Sequence, residues 1–353
     1  MLVERFRKSD GVAIRAAPFW HFVDGMTTSY ELARCIVCDG ANVTELASAD
    51  NIREEVEALW EYHGSRLRPE TPPEHLMDRV AFSQRPPLRV VQCTECGLVY
   101  RNPIERPAEL HEIYGEDAPA TQVLRALHET QRASYSTQAD RLTEVAGRRG
   151  TGIEVGSYVG AFLAAARDAG WQFCGVDVNP CTNTFTRSLG FEVFDGTIEA
   201  LDDSRRVDAV AIWNCLDQLS APAVAIRAAR HHLVPGGVLA VRVPNGACYA
   251  ALRPHLTSPL GAVARTVLAE NNLLSFPYRY GFTPASLQRL LERCRFQVID
   301  TVGDVLVPIA DEWTRPWAAL SERLVKTVGH AVAQAASGDR PLAPWFEMYA
   351  RVV

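Results

Sequence analysis

From Gly152 onward, the sequence alternates between short apolar segments and segments of helical character, and this alternation constrains the fold more than any other feature. The apolar segments are rich in residues that favour strands, and glycines separate several of them from the helices. In chain order, the predicted elements are strand 153–156, helix 161–169, strand 173–177, helix 184–189, strand 191–194, strand 207–213, helix 221–233 and strand 237–243. This order predicts an α/β fold with a doubly wound, mostly parallel sheet.

The C-terminal part of the chain adds two strands to this prediction. Thr283 can cap a helix that reaches Cys294, and residues 296–302 follow as a strand. The last eight residues, 346–353, alternate between apolar and polar residues like a strand. A chain that ends in a strand usually inserts that strand into an existing sheet. We therefore expect a seven-stranded sheet with two insertions, a cap over residues 244–282 and a helical segment over residues 305–343.

The turn after the first of these strands, Gly156-Ser-Tyr-Val-Gly160, predicts a ligand pocket. In a doubly wound sheet the ligand lies beyond the carboxyl ends of the strands, and glycines let the backbone approach it closely. Asp177 ends the second strand, where a carboxylate can accept hydrogen bonds from both hydroxyls of a ribose. A dinucleotide fingerprint needs Gly-x-Gly-x-x-Gly, and Tyr158 and Ala161 at its second and third glycine positions argue against NAD.

Two Cys-x-x-Cys pairs, Cys35/Cys38 and Cys93/Cys96, precede this domain and predict a structural zinc site. Tetrahedral zinc takes four thiolates, and each pair offers two from one tight turn. Four small buried residues, a redox pair and disulfides are the alternatives. Redox chemistry needs a single pair beside a βαβ unit, and disulfides need an oxidising compartment.

The sequence divides into four parts on these grounds. Residues 1–30 form an N-terminal extension, and residues 31–105 form the zinc-binding module. Between the cysteine pairs, a helix beginning near Asp50 or Asn51 and ending at Gly64 is predicted as an insertion. Residues 106–146 form a helical linker, and residues 147–353 form the α/β domain.

Composition excludes several classes of protein. The net charge is −6, and the cysteine module has no basic footprint, so nucleic-acid binding is disfavoured. No apolar run approaches the ~18 to 20 residues that span a bilayer, and the N-terminus has no apolar region typical of a signal peptide. We expect a cytoplasmic protein with reduced thiols; the sequence does not indicate its oligomeric state.

The spacing Glu154-x-Gly156-x-x-x-Gly160, followed by Asp177, resembles motif I of class I S-adenosylmethionine-dependent methyltransferases. Residues 213–219, 233–240, 280–287 and the final strand are similar to later segments of that family. The resemblance implies a Rossmann-like methyltransferase sheet that binds S-adenosylmethionine, with Glu154 meeting the methionine amino group and Asp177 the ribose. The cofactor-binding residues that it implies are Glu154, Gly156, Ser157, Tyr158, Gly160, Asp177, Val178, Asp195, Trp213 and Asn214.

A zinc-binding segment ahead of such a domain is similar to small-molecule methyltransferases, including those that methylate carbon atoms of deoxysugars. This resemblance implies C- or O-methylation of a small molecule, and we expect Tyr278 and Tyr280 to line its pocket. The sequence departs from the family pattern at two places. Tyr158 replaces a common glycine, and Asp217-Gln218 replaces an acid–histidine pair, so no catalytic base is carried over.

Two other functions stay open on the sequence alone. The sheet could hold the cofactor without turnover while the zinc module recognises a partner, or the chain could be an NAD-dependent oxidoreductase. Binding of S-adenosylmethionine rather than NADH separates the last reading from the other two.

Overall fold

The computed structural model of the protein describes residues 30–71, 89–105, 119–274, 276–306, 312–335 and 343–353. Its strands are β1 Tyr30–Glu31, β2 Val43–Ala47, β3 Val90–Cys93, β4 Val99–Arg101, β5 Ile104–Glu105, β6 Thr151–Val155, β7 Gln172–Asp177, β8 Val193–Asp195, β9 Val207–Trp213, β10 Leu233–Pro244, β11 Tyr280–Gly281, β12 Phe296–Asp304 and β13 Trp345–Val352. Its α-helices are α1 Ala49–Arg66, α2 Thr121–Ala146, α3 Ala161–Asp168, α4 Pro180–Ser188, α5 Pro222–His232, α6 Gly246–Leu252, α7 Gly261–Glu270, α8 Pro284–Arg293 and α9 Pro316–Ala335. Most of the N-terminal extension lies outside the described residues.

The central sheet has seven strands in the order β12-β13-β10-β9-β6-β7-β8. The pairs from β10 through β8 are parallel, whereas β13 runs antiparallel to both β10 and β12. The predicted doubly wound sheet and its inserted terminal strand are confirmed. From β6 the chain adds β7 and β8 on one side and then returns to add β9 and β10 on the other side. The boundary between β6 and β9 is therefore the switch point of the sheet, where such folds bind ligands.

Local sequence signals explain the helices that flank this sheet. Thr283 accepts a hydrogen bond from the backbone N–H of Ser286, and the Ser286 hydroxyl accepts one in return from the Thr283 N–H, which forms a capping box at α8. Asn179 caps α4 through two backbone N–H groups. Gly147 ends α2 with φ +72°, a conformation that glycine adopts without steric cost.

The helix between the cysteine pairs is longer than predicted. Ser48, and not Asp50 or Asn51, occupies the N-cap, and α1 continues through Gly64 to Arg66. The Arg66 guanidinium forms a 2.8 Å ion pair with Glu270 of α7, and both side chains are largely buried. The helix therefore tolerates the ~1 kcal/mol that an interior glycine costs, and the predicted end at Gly64 is wrong.

A second sheet connects the cysteine module to the insertion after β10. Its strands lie in the order β11-β4-β3-β2, and β11 pairs with β4 through Tyr280 opposite Tyr100 and Gly281 opposite Val99. A separate two-stranded ribbon joins β1 to β5. The cysteine module is therefore hydrogen-bonded to the α/β domain and does not stand apart from it.

The insertion over residues 244–282 folds into α6, a short 3₁₀ helix at Arg253–Thr257, α7 and β11. Helix α1 packs against it, because the buried Glu55 carboxylate of α1 accepts a hydrogen bond from Arg253 at 2.9 Å and Tyr249 packs beside it. None of the described helices combines the length and apolar character that a membrane crossing requires.

Candidate functional site

The loop after β6 is shaped by two glycines in the left-handed region. Gly156 has φ +73° and Gly160 has φ +67°. A Cβ at Gly156 would lie 2.7 Å from the Cys215 Sγ, and one at Gly160 would lie 2.6 Å from the Thr186 Cγ2. Both distances are shorter than real side-chain contacts, so this loop requires glycine at both positions.

Tyr158 lies between these glycines and also has a positive φ, +44°. Its backbone is fixed on both sides. Its N–H donates to the Asp177 carboxylate at 2.9 Å, and its carbonyl oxygen accepts from the Thr186 hydroxyl at 2.9 Å. The residue is 40% exposed, so the bulky ring that replaces the expected glycine is accommodated toward solvent.

Asp177 at the end of β7 organises this edge of the sheet. Besides the bond from Tyr158, its carboxylate accepts a hydrogen bond from the Asn179 N–H at 2.9 Å. Burial raises the pKa of Asp177, while the backbone donors from Asn179 and Tyr158 act in the opposite direction. The carboxylate is therefore held in one orientation, as a group that receives ribose hydroxyls must be.

Glu154 lies inside the sheet beneath the same loop and is 3% exposed. Its Oε2 atom is buried without a hydrogen-bond partner in the described part of the chain. Burial, followed by the nearby charge of Asp177, raises the pKa of Glu154 well above its usual value. A buried carboxyl oxygen without a donor is costly, and a ligand carrying an ammonium group would satisfy it.

Other buried acceptors lie nearby. The Ser157 Oγ and the Asn183 Oδ1 have no hydrogen-bond partner among the described residues. Asn183 donates through its Nδ2 to Asp195 at 2.7 Å and to the Asp177 carbonyl at 2.8 Å. Arg187 donates to the other Asp195 oxygen at 2.7 Å, and this bond lowers the pKa of that largely exposed carboxyl. The predicted residues from Glu154 to Asp195, including Val178, thus lie along one edge of the sheet.

Trp213 is the last residue of β9 and Asn214 follows it, and their side chains have different partners. The Trp213 ring packs in the core against Phe162, with ring centroids 5.1 Å apart. The Asn214 amide donates to the Tyr135 hydroxyl at 3.2 Å and accepts from the Arg242 guanidinium at 2.7 Å. Tyr135 of α2 was not predicted for the site, because helical periodicity does not reveal which residue of a helix reaches the sheet edge.

Cys215 and Asp217 follow in the same loop, and both are buried or partly buried. Burial, followed by the charges of Asp177, Asp217 and Glu154, raises the pKa of the Cys215 thiol. Burial raises the pKa of Asp217 to about 7. The sequence marks Asp217 only as a departure from a family pattern; nothing in the sequence signals that its carboxyl is buried.

The two tyrosines predicted for the acceptor pocket lie where the second sheet meets this loop. The Tyr280 N–H donates to the Asp217 carbonyl oxygen at 3.1 Å, and its hydroxyl donates to the Ser220 carbonyl oxygen at 3.4 Å. Tyr278 is partly buried, with the Arg101 guanidinium 5.6 Å from its ring centroid. Tyr280 therefore borders the candidate cofactor edge, whereas Tyr278 contacts the cysteine module.

The four predicted metal ligands converge on one point. The sulfur atoms of Cys35, Cys38, Cys93 and Cys96 all lie within 4.8 Å of one another, with Cys35 to Cys96 at 3.3 Å and Cys38 to Cys93 at 3.5 Å. Four thiolates at 2.3 Å from one ion have similar separations, so this set fits a tetrahedral zinc ion. Burial, followed by hydrogen bonds to the neighbouring thiols, raises the pKa of Cys38 to about 11.

Comparison with known proteins agrees with this geometry. Residues 127–301 match the family model described as a methyltransferase domain, from the second turn of α2 into β12. No curated protein matches the sequence.

Solved structures with a similar fold include several methyltransferases. A possible histamine N-methyltransferase from Thermotoga maritima is 16% identical, with a TM-score of 0.42, and the match covers 64% of this chain and 91% of that one. A methyltransferase from Archaeoglobus fulgidus is 14% identical, with a TM-score of 0.40 and coverage of 62% and 94%. An amino pentose methyltransferase from Micromonospora echinaspora is 22% identical, with a TM-score of 0.31 and coverage of 36% and 58%. At these scores the likenesses carry no conclusion about the substrate.

Proposed function

We propose that this chain is an S-adenosylmethionine-dependent methyltransferase that methylates a small-molecule acceptor on carbon or oxygen. The match of residues 127–301 to a methyltransferase domain supports the reaction type. The observation that carries the proposal is the burial of the candidate acceptor side. Tyr280 and Asp217 are 3% and 4% exposed, and β11, which carries Tyr280, pairs with β4 of the cysteine module. A covered site of this kind suits a small molecule better than a folded protein or a nucleic acid, and the net charge of −6 also disfavours the latter.

The donor would be held by the loop and strand ends described above. Glu154 would accept from the amino group, and the Asp177 carboxylate would receive the ribose hydroxyls. Gly156, Ser157, Tyr158 and Gly160 form the loop that follows β6. The remaining proposed contacts come from the ends of β7, β8 and β9, namely Val178, Asp195, Trp213 and Asn214.

The bound donor supplies an electrophilic methyl group. The residues of the chain hold donor and acceptor in line and keep water out, and positioning of this kind can account for roughly 7 to 11 kcal/mol of a reaction barrier. Asn214 is suited to such positioning, because hydrogen bonds to Tyr135 and Arg242 fix its amide on both sides.

We further propose that the insertion over residues 244–282 caps the acceptor pocket, with Tyr280 and Asn214 among the lining groups. The hydrogen bond from the Tyr280 N–H to the Asp217 carbonyl oxygen, in the loop that follows β9, supports this. A crystal structure with the donor bound tests the proposal. It predicts at least one of these residues within about 8 Å of the transferable methyl, and larger distances for both would refute it.

The four-cysteine cluster is proposed to bind one structural zinc ion. Four protein thiolates fill a tetrahedral site, so no open position remains for catalysis. Val37, Cys93, Leu98 and Tyr280 belong to one buried cluster, so the ion would stabilise the packing of the module against the acceptor side.

The activity can be tested in two steps. A thermal-shift assay should show stabilisation by S-adenosylmethionine and S-adenosylhomocysteine but not by NADH. Transfer of a labelled methyl group is then measured against a panel of nucleotide-linked deoxysugars, with transfer RNA and bulk protein as the macromolecular comparison. Donor binding with transfer only to macromolecules would overturn the small-molecule proposal, and binding of NADH in place of the donor would overturn the assigned activity.

A further inference from the structure

Helix α9 carries its large apolar side chains on the side that faces solvent. Five of them, which we call the α9 stripe, are between 53% and 70% exposed, namely Trp317, Leu320, Leu324, Val328 and Val332. At about 100° of rotation per residue, these five positions fall within roughly 120° of the helix circumference. An apolar face of that width is normally the one that a helix buries against the core.

The opposite face of α9 is buried and carries charges. The Glu322 carboxylate and the Lys326 ammonium group lie 2.8 Å apart, and both side chains are 3% exposed. Gly329 lies on the same face, where an added Cβ would lie 3.2 Å from the Val305 Cγ1. The helix therefore directs an ion pair inward and its apolar residues outward, which is the reverse of an ordinary surface helix.

Contacts with α1 and α7 fix this orientation of α9. The Arg66 guanidinium of α1 donates a 3.2 Å hydrogen bond to the Ala318 carbonyl oxygen and forms a 2.8 Å ion pair with Glu270 of α7. Burial raises the pKa of Glu270, and the charges of Glu322 and Lys326 act on the same carboxyl. Turning the stripe inward would separate these buried charges from their partners, so the outward direction of the stripe is built into the fold.

The α9 stripe is large enough to form an interface. With more than half of each of its five large side chains exposed, it presents on the order of 500 Å² of mostly apolar surface, at roughly 150 to 250 Å² for a whole side chain of the largest kind. Two such stripes in contact remove on the order of 1,000 Å² from water, the size at which specific association begins. Residues beside the stripe would add to this area.

The spacing of the stripe is self-complementary. Leu320, Leu324 and Val328 follow one another at intervals of four residues, as does Val332, and such a row forms a ridge that packs into the matching groove of another helix. A two-fold dimer uses the same patch on both protomers, so one ridge can supply both sides of the contact. Leu324 is the central residue of the five, and a two-fold axis near it would place it opposite Leu324 of the partner subunit.

We infer that α9 forms the interface of a homodimer, in which the α9 stripes of the two protomers pack against each other with Leu324 near the two-fold axis. The inference does not depend on the proposed function. A lipid surface fits the stripe less well, because helices that lie on membranes carry a polar face rich in Lys and Arg. In α9, the polar face is packed inward and Lys326 is paired with Glu322.

The test is sedimentation velocity of the full chain over a range of about 0.5 to 50 µM, where a contact of this size is expected to associate. The wild-type protein should approach twice the 39.0 kDa mass of one chain as its concentration rises. Leu324→Glu should weaken association by roughly a hundredfold or more, because two carboxylates would face each other in an apolar contact, and Leu324→Lys should do the same. An equal mixture of the two variants should recover a mixed dimer, because the facing charges are then opposite.

Val224→Glu is the matched control. Val224 of α5 is also an exposed apolar residue on a helix, 42% exposed, but it lies outside the stripe, and this variant should dimerise like the wild type. Unfolding midpoints close to that of the wild type show that the Leu324 variants are folded, as expected for an exposed position.

Three results would overturn the inference. The first is a wild-type chain that stays monomeric throughout the range, and binding of that monomer to vesicles of phosphatidylserine and phosphatidylcholine would assign the stripe to a lipid surface instead. The second is a dimer that both Leu324 variants leave intact, which would place the interface elsewhere. The third is the absence of a mixed dimer from the two folded, monomeric Leu324 variants, which would exclude the two-fold arrangement around that residue.

Discussion

The backbone N–H of Tyr280 donates a 3.1 Å hydrogen bond to the carbonyl oxygen of Asp217. Tyr280 belongs to β11, which pairs with the cysteine module, and Asp217 belongs to the loop that ends β9. This one bond therefore connects the segment proposed to cover the acceptor with the loop that borders the donor.

The double variant Cys93→Ala, Cys96→Ala should lose zinc. Two of the four sulfurs that lie within 4.8 Å of one another would be gone, and the remaining pair cannot complete a tetrahedral site. Elemental analysis should give about one zinc per wild-type chain and close to none in the variant. Cys181→Ala, outside the cluster, should keep its zinc, and full retention by the double variant would refute the assignment.

Asp177→Ala should weaken donor binding by roughly tenfold to 150-fold, which corresponds to about 1.5 to 3 kcal/mol. The carboxylate is proposed to receive the ribose, and it also accepts the N–H groups of Tyr158 and Asn179. Calorimetry with S-adenosylhomocysteine measures the loss, with Asp203→Ala as the exposed control. Unchanged affinity would mean that the pocket lies elsewhere.

Gly156→Ala should abolish measurable donor binding, and Gly156→Val should also destabilise the fold. The added Cβ would lie 2.7 Å from the Cys215 Sγ, and the φ of +73° disfavours any L side chain. Adding Cys215→Ala should restore part of the binding, because it removes the clashing sulfur but not the backbone strain. Gly64→Ala is the matched control, since its added Cβ would meet nothing within 4 Å beyond its own stretch of helix, and it should be neutral or slightly stabilising.

Arg242→Met should lower the free energy of unfolding by about 3 to 5 kcal/mol. The guanidinium lies 2.5 Å from the Asp304 carboxylate, and both side chains are buried. Among the described residues, the substitution leaves this buried acid with only the His330 ring, 3.8 Å away, as a charged partner when that ring is protonated. Denaturant unfolding measures the change. Arg148→Met removes an ion pair to Asp208 whose arginine is largely exposed, and it should cost no more than about 1 kcal/mol; equal losses in the two variants would contradict this account.

Asp217→Asn should stabilise the ligand-free protein at high pH. Burial raises the pKa of Asp217 from 3.8 to about 7, so the folded state binds the extra proton and wild-type stability falls as the pH rises between these values. The asparagine variant does not titrate, so its advantage should be absent below about pH 4 and complete above about pH 7, at up to about 4 kcal/mol. Unfolding midpoints at pH 5 and pH 8 provide the measurement, and a variant less stable than wild type at pH 8 would contradict it.

The architecture could be predicted from sequence wherever a period recurs. The strands and helices after Gly152 were predicted because their apolar residues follow patterns that a short window detects. The final strand, predicted at 346–353 from its alternation, is found at Trp345–Val352, although both of its faces are buried over residues 345–350. Glu154, Gly156 and Asp177 also lie close together in the sequence, and their spacing predicted the candidate donor site.

The acceptor side was harder to predict because its features depend on distant contacts. Strand β11 has only two residues, Tyr280 and Gly281, which is too short to show a period, and its partner β4 lies far earlier in the chain. Asp217 is polar and would ordinarily be assigned to the surface. Its burial depends on the elements packed around it, and no neighbouring residue type signals that packing.

The pairing of β4 with β11 has a consequence for folding while the chain is being synthesised. Tyr100 pairs with Tyr280, so its partner is made 180 residues later (280 − 100). At about 5 to 20 residues per second, this leaves one edge of β4 unpaired for roughly 10 to 40 s on the ribosome. An unpaired strand edge is a template for aggregation. Zinc bound early at the neighbouring cysteines would let the small sheet form before its last strand arrives, so zinc supply during expression should affect the yield of soluble protein more than it affects the finished enzyme.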